Sequence, residues 1–222
     1  MKRIGIIAAL PGELKPLVRG WEKRGQFYIG QIGKTECIAT AGGIGAKAAT
    51  KACALLLAEG KPDALVSYGW AGSLSCGLKP RQACAIYDVI DSHTGERFIT
   101  DYPAGQRLVT LDHVARHDEK REIAQKYQAP LVDMEAAAVA RVAAEQNLAF
   151  YCFKGISDGA NDKLPDFNRF LGKDGQLRMS ALVTYALLHP QYWSALKQLD
   201  KQSKGAAANL ASLATESLGR TL

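Results

Sequence analysis

A mixed α/β fold, with a sheet layered between helices, is what the 222-residue sequence predicts. Three observations carry that expectation. Arg3 to Leu10 and Ala149 to Ile156 are unbroken apolar runs, the pattern of strands buried on both faces of a parallel sheet. Segments rich in Ala, Leu and Lys alternate with such strands, as helices do in layered α/β folds. No internal repeat or Pro/Ser-rich linker divides the chain, so residues 1–222 are expected to form a single domain.

The first strand stops at Pro11-Gly12. Gln26 to Ile32 and Glu36 to Ala41 read as two strands joined by the turn Gly33-Lys34-Thr35. Gly42-Gly43-Ile44-Gly45 opens a helix over Ala46 to Glu59, which Gly60-Lys61-Pro62 closes. Ala64 to Tyr68 is a short strand that leads into a turn at Gly69-Trp70-Ala71-Gly72. Ala83 to Ile90 is another strand, and Ser92 to Gly105 a loop or hairpin. Asp118 to Tyr127 predicts an exposed charged helix and Glu135 to Gln146 an Ala-rich one. After the strand Ala149 to Ile156, helices are expected over Gln176 to Leu188 and Gln191 to Leu218, the last polar enough to fray or to meet a partner.

Composition removes several classes. With 47% hydrophobic and 23% charged residues the chain is neither disordered nor collagenous. The net charge of +6 comes from scattered Lys and Arg without a basic run, so no nucleic acid is expected as a partner. Cys37, Cys53, Cys76, Cys84 and Cys152 are odd in number and lack a C-x-x-C, which suits buried free thiols in a reducing cytosol. Lys2 and Arg3 before Ile4 to Leu10 imitate a signal peptide, but that apolar run is too short and ends in Pro11-Gly12-Glu13. No 18 apolar residues run together, so no membrane span is expected and the protein reads as cytoplasmic.

Chemistry-bearing residues collect just after predicted strands, where ligands bind in α/β sheets: Glu13, Gly43 and Gly45, Gly69 to Gly72, and Asp158. Each has a plainer reading as well. Glycines after strands serve tight turns with or without a ligand. Gly43-x-Gly45-x-x-Ala48 loosely fits a dinucleotide fingerprint, yet the strand after it ends in Gly69 and Trp70 rather than an acidic residue, so no such cofactor is expected. Ser75 misses the nucleophile elbow because Ser73 stands where Gly is needed. His113 and His117 have ligand spacing without the glutamate of a zinc motif, so a solvated helix end explains them and no metal is expected. Trp70 in a glycine-rich turn projects toward whatever that turn faces, either stacking on a ligand or packing beneath it. Glu135 starts a helix, where the dipole keeps a carboxylate ionised; its plainer reading is an ordinary helix-start acid. Asp158 ends an apolar strand with Asp162 nearby, surroundings that favour a protonated carboxyl; its plainer reading is a cap.

At these residues the sequence resembles the nucleoside phosphorylase and nucleosidase superfamily, which includes the methylthioadenosine/S-adenosylhomocysteine nucleosidases. The resemblance rests on Ile4 to Ala9 with Glu13, Gly43-Ile44-Gly45, Gly69-Trp70-Ala71-Gly72, Val132 to Ala138, and Ile156-Ser157-Asp158, in that order along the chain. Arg107 to Val132 and the tail beyond Asp158 look most like the hopanoid-associated phosphorylase branch. The resemblance implies a three-layer α/β/α sandwich around a mixed, partly barrel-like sheet, assembled as a dimer or larger homo-oligomer. It further implies that Asp158 protonates the purine, that Glu135 and Met134 hold the ribose, and that Glu13 positions the attacking water. Trp70, Ala71, Gly72 and Ser157 would line the substrate site.

That division of labour is chemically sensible. A purine anion leaves poorly, so an acid must neutralise it as the glycosidic bond stretches. The ribose turns into an oxocarbenium-like cation, which a fixed carboxylate stabilises, and a second carboxylate takes the proton of water. The sequence departs from the pattern at Trp70, where the family has Ser or another small residue, at Ser73, where it has a second Gly, and at Asp112-His113-Val114-Ala115, where it supplies a base-stacking Phe. Hydrolysis of a 5′-substituted adenosine is the leading expectation. Phosphorolysis is the alternative, with Lys47 and the Gly43 to Gly45 turn holding phosphate, and a nucleoside-binding module with Trp70 filling the pocket is the third.

Overall fold

In the computed structural model, which describes residues 3–170, 172 and 178–221, the N-terminal apolar run is the strand β1 (Arg3–Ala8), buried from its second residue on. It lies parallel to β4 (Thr35–Ala41) on one side and β5 (Ala64–Ser73) on the other. From β4 the sheet continues through antiparallel β3 (Phe27–Ile32) to the short edge strand β2 (Glu22–Arg24). In the other direction β5 pairs with both β9 (Leu131–Asp133) and β10 (Ala149–Asp158). β10 pairs with β6 (Ala83–Asp91), β6 with β8 (Gln106–Thr110), and β8 with β9, so these five strands close into a barrel. β7 (Arg97–Ile99) folds back on β6, making a hairpin of the segment after it.

Alternation along the strands divides the core in two. Ile4, Ile6 and Ala8 of β1 join one apolar cluster while Ile7 joins the other. Helices α2 (Ala46–Gly60) and α4 (Ala136–Glu145) cover the Ile7 side with Ala49, Ala52, Leu56, Ala137 and Ala140. On the opposite side lie the short helix α1 (Pro11–Leu14) and the C-terminal helix, contributing Leu14, Leu210, Ala214 and Leu218. The expected three layers around a mixed, partly closed sheet are therefore present. Helix α3 (Lys120–Tyr127) packs Ile123, Ala124 and Tyr127 over a smaller cluster around Val109 and Val132. Helices α5 (Met179–Leu188) and α6 (Trp193–Thr221) complete the chain. Among the described residues no helix is long and apolar enough to cross a membrane.

Several local expectations are corrected. Gly69 to Gly72 is not a turn but the end of β5, because β10 runs alongside and pairs Gly69 with Lys154 and Gly72 with Asp158. β2, β8 and β9 were not expected; β2 and β9 have three residues each and β8 five, too short for periodicity to register. Helix α3 begins at Lys120 rather than Asp118, and α4 begins after Glu135. The start of the helix expected from Gln176 falls outside the described residues; α5 begins at Met179. Cys76 is exposed and Cys84 half-buried, whereas Cys37, Cys53 and Cys152 are buried, and burial pushes the thiols of these three up to about 12.

The C-terminal helix α6 is not a fraying tail. Its alanines form a narrow face that lets the backbone sit close to β10: a Cβ added at Gly155 would stand 2.8 Å from the Ala206 carbonyl oxygen. Leu210 is fully buried in that interface. Leu210→Ala is expected to cost about 2–5 kcal/mol in urea unfolding; a loss near zero would mean that α6 is peripheral.

Candidate active site

The carboxyl ends of the parallel strands β1, β5 and β10 lie at one edge of the sheet, with Glu13 shortly after β1, Trp70 near the end of β5 and Asp158 the last residue of β10. Pro11 starts α1 immediately after β1 and so brings Glu13 back under the strand end. Glu13 is 3% exposed. Its Oε2 accepts from the Ala9 and Leu10 amides at 2.8 and 2.7 Å, and its Oε1 from the Trp70 amide at 2.8 Å. A carboxylate has about four lone-pair positions, so one acceptor direction remains. Burial raises the Glu13 pKa, opposed by these amides and by the charge of Lys154. A Cβ at position 69 would come within 2.7 Å of Glu13 Oε1 and displace the carboxylate, so glycine there makes room for it.

Glu135 approaches from the end of β9, next to the start of α4. Its Oε1 accepts from the Gly45 amide at 2.7 Å, where a positive φ of 91° turns the backbone toward it. Burial, then the charge of Asp133, push its pKa up to about 8, while Lys154 and the Gly45 amide pull the other way. The expectation that the helix dipole keeps Glu135 ionised is thus corrected: desolvation and a neighbouring carboxylate outweigh a dipole felt only over the first turn.

Beneath both glutamates lies an ion pair. Lys154 Nζ is 2.8 Å from Asp133 Oδ2, with side chains 2% and 0% exposed, and it also donates to Ser67 Oγ at 3.1 Å. Burial opposes the ammonium, but Asp133, Cys152 and Glu135 together raise the Lys154 pKa. Asp133 is fully partnered: Thr110 Oγ1 donates to it at 2.7 Å and the Ala136 amide, in the first turn of α4, at 2.9 Å. Neither residue was singled out from the sequence. A lone lysine inside the apolar run Ala149 to Ile156 was the available signal.

Asp158 ends β10 just past a register shift that follows Ile156. Ser157 Oγ donates to its Oδ1 at 2.7 Å, and Lys120 Nζ to its Oδ2 at 2.6 Å. Asp162, expected to crowd it, instead accepts from the Gly159 amide at 2.9 Å. Lys120 was missed because it sits in a charged stretch with nothing to mark it.

An inner cavity of about 180 Å³ is lined by Glu13, Trp70, Ala71, Gly72, Met134, Glu135, Ser157 and Asp158. It adjoins an outer one of about 510 Å³, within the range of small-molecule sites, walled by Leu10, Val114, Leu164, Phe167 and Leu199. Trp70 is a wall of both; its Nε1 donates to the Ser203 carbonyl of α6 at 3.1 Å, which holds the indole to one side. Gly43 and Gly45 support the site through backbone: the Gly43 amide donates to Ala9 and that of Gly45 to Glu135, and neither residue lines either cavity. Lys47 is exposed on α2 and lines neither. His113 lies before α3, its ring held between Asp112 and Glu119. Among the described residues no group of three or more His, Cys, Asp or Glu is placed to hold a metal ion.

The model of the phosphorylase superfamily matches residues 3–117 and 108–187. A 5′-methylthioadenosine/S-adenosylhomocysteine nucleosidase from Shewanella pealeana is 28% identical over 84% of this chain and 98% of its own. Among solved structures, the nucleosidase of that name from Neisseria meningitidis, in complex with methylthio-immucillin-A, superposes with a TM-score of 0.74 at 21% identity and covers 99% of both chains. The futalosine hydrolase of Helicobacter pylori superposes with a TM-score of 0.73 at 16% identity, over 98% of this chain and 97% of that one.

The raised pKa of Glu135 has a consequence for stability. A carboxyl raised in the folded state contributes stability that is fully present below its unfolded value and is lost as pH rises through about 8. Glu135→Gln, which cannot ionise, is therefore expected to melt with the wild type near pH 4 and above it near pH 9, by roughly 2–4 °C for each kcal/mol relieved. Equal melting temperatures at both pH values would contradict the assignment.

Proposed function

Because the chain belongs to the phosphorylase superfamily, we propose that it hydrolyses the N-glycosidic bond of a purine nucleoside, with a 5′-substituted adenosine as substrate, and releases the free base. The observation that carries this reading is the convergence of Glu13, Glu135 and Asp158, from three separate strand ends, on one small cavity beside a larger apolar one. The curated relative named for the nucleosides methylthioadenosine and S-adenosylhomocysteine supports it.

Each carboxyl takes one part. Asp158, oriented by Ser157, protonates the purine as the bond breaks, so that the base leaves neutral. Glu135, pinned by the Gly45 amide, and the Met134 backbone hold the ribose hydroxyls, and the carboxylate form of Glu135 stabilises the developing oxocarbenium ion. Glu13 has three of its acceptor directions filled by backbone amides and uses the remaining one for the attacking water, whose proton it takes. Ala71 and Gly72 form the floor, and Trp70 the wall between the two cavities.

Water rather than phosphate is the nucleophile. Both buried ammoniums, Lys154 and Lys120, are already paired, with Asp133 and Asp158 respectively, and the carboxyls of Glu13 and Glu135 offer a phosphate dianion no positive charge. The groups that would cradle phosphate are engaged elsewhere: Gly45 donates to Glu135, Gly43 to Ala9, and Lys47 lies outside both cavities. The family resemblance supports a homo-oligomer, whose subunit count light scattering measures, and the free thiols support a cytoplasmic location.

Adenine release from 5′-substituted adenosines is expected in phosphate-free buffer, giving free sugar and no sugar 1-phosphate. Asp158→Asn and Glu13→Gln should each lower kcat by roughly 10²-fold or more while leaving the melting temperature near the wild type's. Release that scales with added phosphate would make the enzyme a phosphorylase, and nucleoside binding without release would make it a binding module.

A further inference from the structure

Lys120 is buried, 3% exposed, yet the chemistry above gives it nothing to do. It is the first residue of α3, its Nζ lies 2.6 Å from Asp158 Oδ2 and 2.7 Å from the Gly159 carbonyl, and it lines both cavities. An ammonium at a helix N-terminus and out of water is disfavoured twice, by the dipole and by desolvation. The Asp158 carboxylate offsets those costs, so the arrangement joins this cation to the one group that must deliver a proton. Nζ donates directly to Asp158 Oδ2, so the hydrogen bond along which a proton would pass is already in place.

Resting on the functional reading above, we propose that Lys120 is the positioning residue of the leaving-group acid: it holds Asp158 at the cavity and passes to it the proton that Asp158 delivers to the purine. As the glycosidic carbon–nitrogen bond breaks, its electron pair goes to the purine. One proton moves from Nζ to the Asp158 carboxylate and one from that carboxyl to the purine, leaving a neutral lysine amine. Water adds to the sugar carbon and gives a proton to Glu13; solvent carries that proton away and returns one to Lys120. The sum is nucleoside plus water giving free base plus sugar.

Most of the charged groups around the pair already have partners. From α3 and the segment before it, Glu119 accepts from His113 and from the Arg116 amide, and Asp118 faces Arg116. From the loop after β10, Asp162 caps Gly159 and Asp166 accepts from Asn168, while Lys163 and His117 are cavity walls. Across the inner cavity Glu13 and Glu135 are held by backbone amides, and Asp133 by Lys154. Lys163 and His117 line the outer cavity and not the inner one, whereas Lys120 lines both and is bonded to Asp158.

The test measures base release from a 5′-substituted adenosine between about pH 5 and 9 for the wild type, Lys120→Met, Lys120→Arg, and Lys120→Ala with and without added ethylamine. Lys120→Met is expected to lower kcat by roughly 10²-fold near pH 8 with KM within about threefold, the loss shrinking toward acid pH as Asp158 takes its proton from water. Lys120→Arg should keep KM but not kcat, since a guanidinium does not give up its proton. Ethylamine should restore part of the Lys120→Ala rate, and the Arg and Ala variants carry the test should the Met variant fail to fold. A Lys120→Met enzyme with the wild-type kcat and pH profile, or a Lys120→Arg enzyme with the wild-type kcat, overturns the inference while leaving the functional reading intact. A wild type that releases no base from any purine nucleoside overturns both.

Discussion

The pair between Lys154 and Asp133, shut away from water inside the barrel, is the interaction on which the rest of the site depends. Two further carboxyls, Glu13 and Glu135, converge on the same small volume, and without a cation at its centre their mutual repulsion and desolvation would be hard to sustain. Asp133 also accepts from the Ala136 amide and from Thr110, so one side chain ties the start of α4, the end of β8 and the end of β9 to the lysine of β10. Removing either partner would leave a buried charge unpaired and loosen the seam where the barrel closes.

Around this centre the carboxyls are held by different means. Glu13 is bound almost entirely by backbone amides, which fix its position without adding net charge. Glu135 has one strong amide bond and a like-charged neighbour, so its proton is held unusually tightly. Asp158 meets an ammonium and a hydroxyl. Three chemically similar residues thereby acquire three distinct environments, the condition for dividing acid, base and electrostatic work among them.

The aromatic wall follows from packing as much as from chemistry. Trp70 stands at a point where β5 overruns into the cavity, and its indole nitrogen is satisfied by the Ser203 carbonyl of α6. The C-terminal helix therefore does more than cover the sheet. It fixes the side chain that separates the two cavities, coupling the last segment of the chain to a residue more than a hundred positions earlier.

By itself the sequence determined the layered α/β class, the buried strands β1 and β10, helices α2 and α4, and the clustering of Glu13, Glu135 and Asp158 at strand and helix junctions. Those features are written in local pattern: apolar runs, glycine punctuation, and acids where such runs end. The tertiary structure alone decided that Gly69 to Gly72 is strand, that five strands close, that α6 is core, and that Glu135 is pushed toward neutrality. It also brought Lys120 and Lys154 against carboxylates 38 and 21 residues away in sequence. Pairing across a sheet, desolvation and the charge of a distant neighbour all act through space, so no window along the chain contains them.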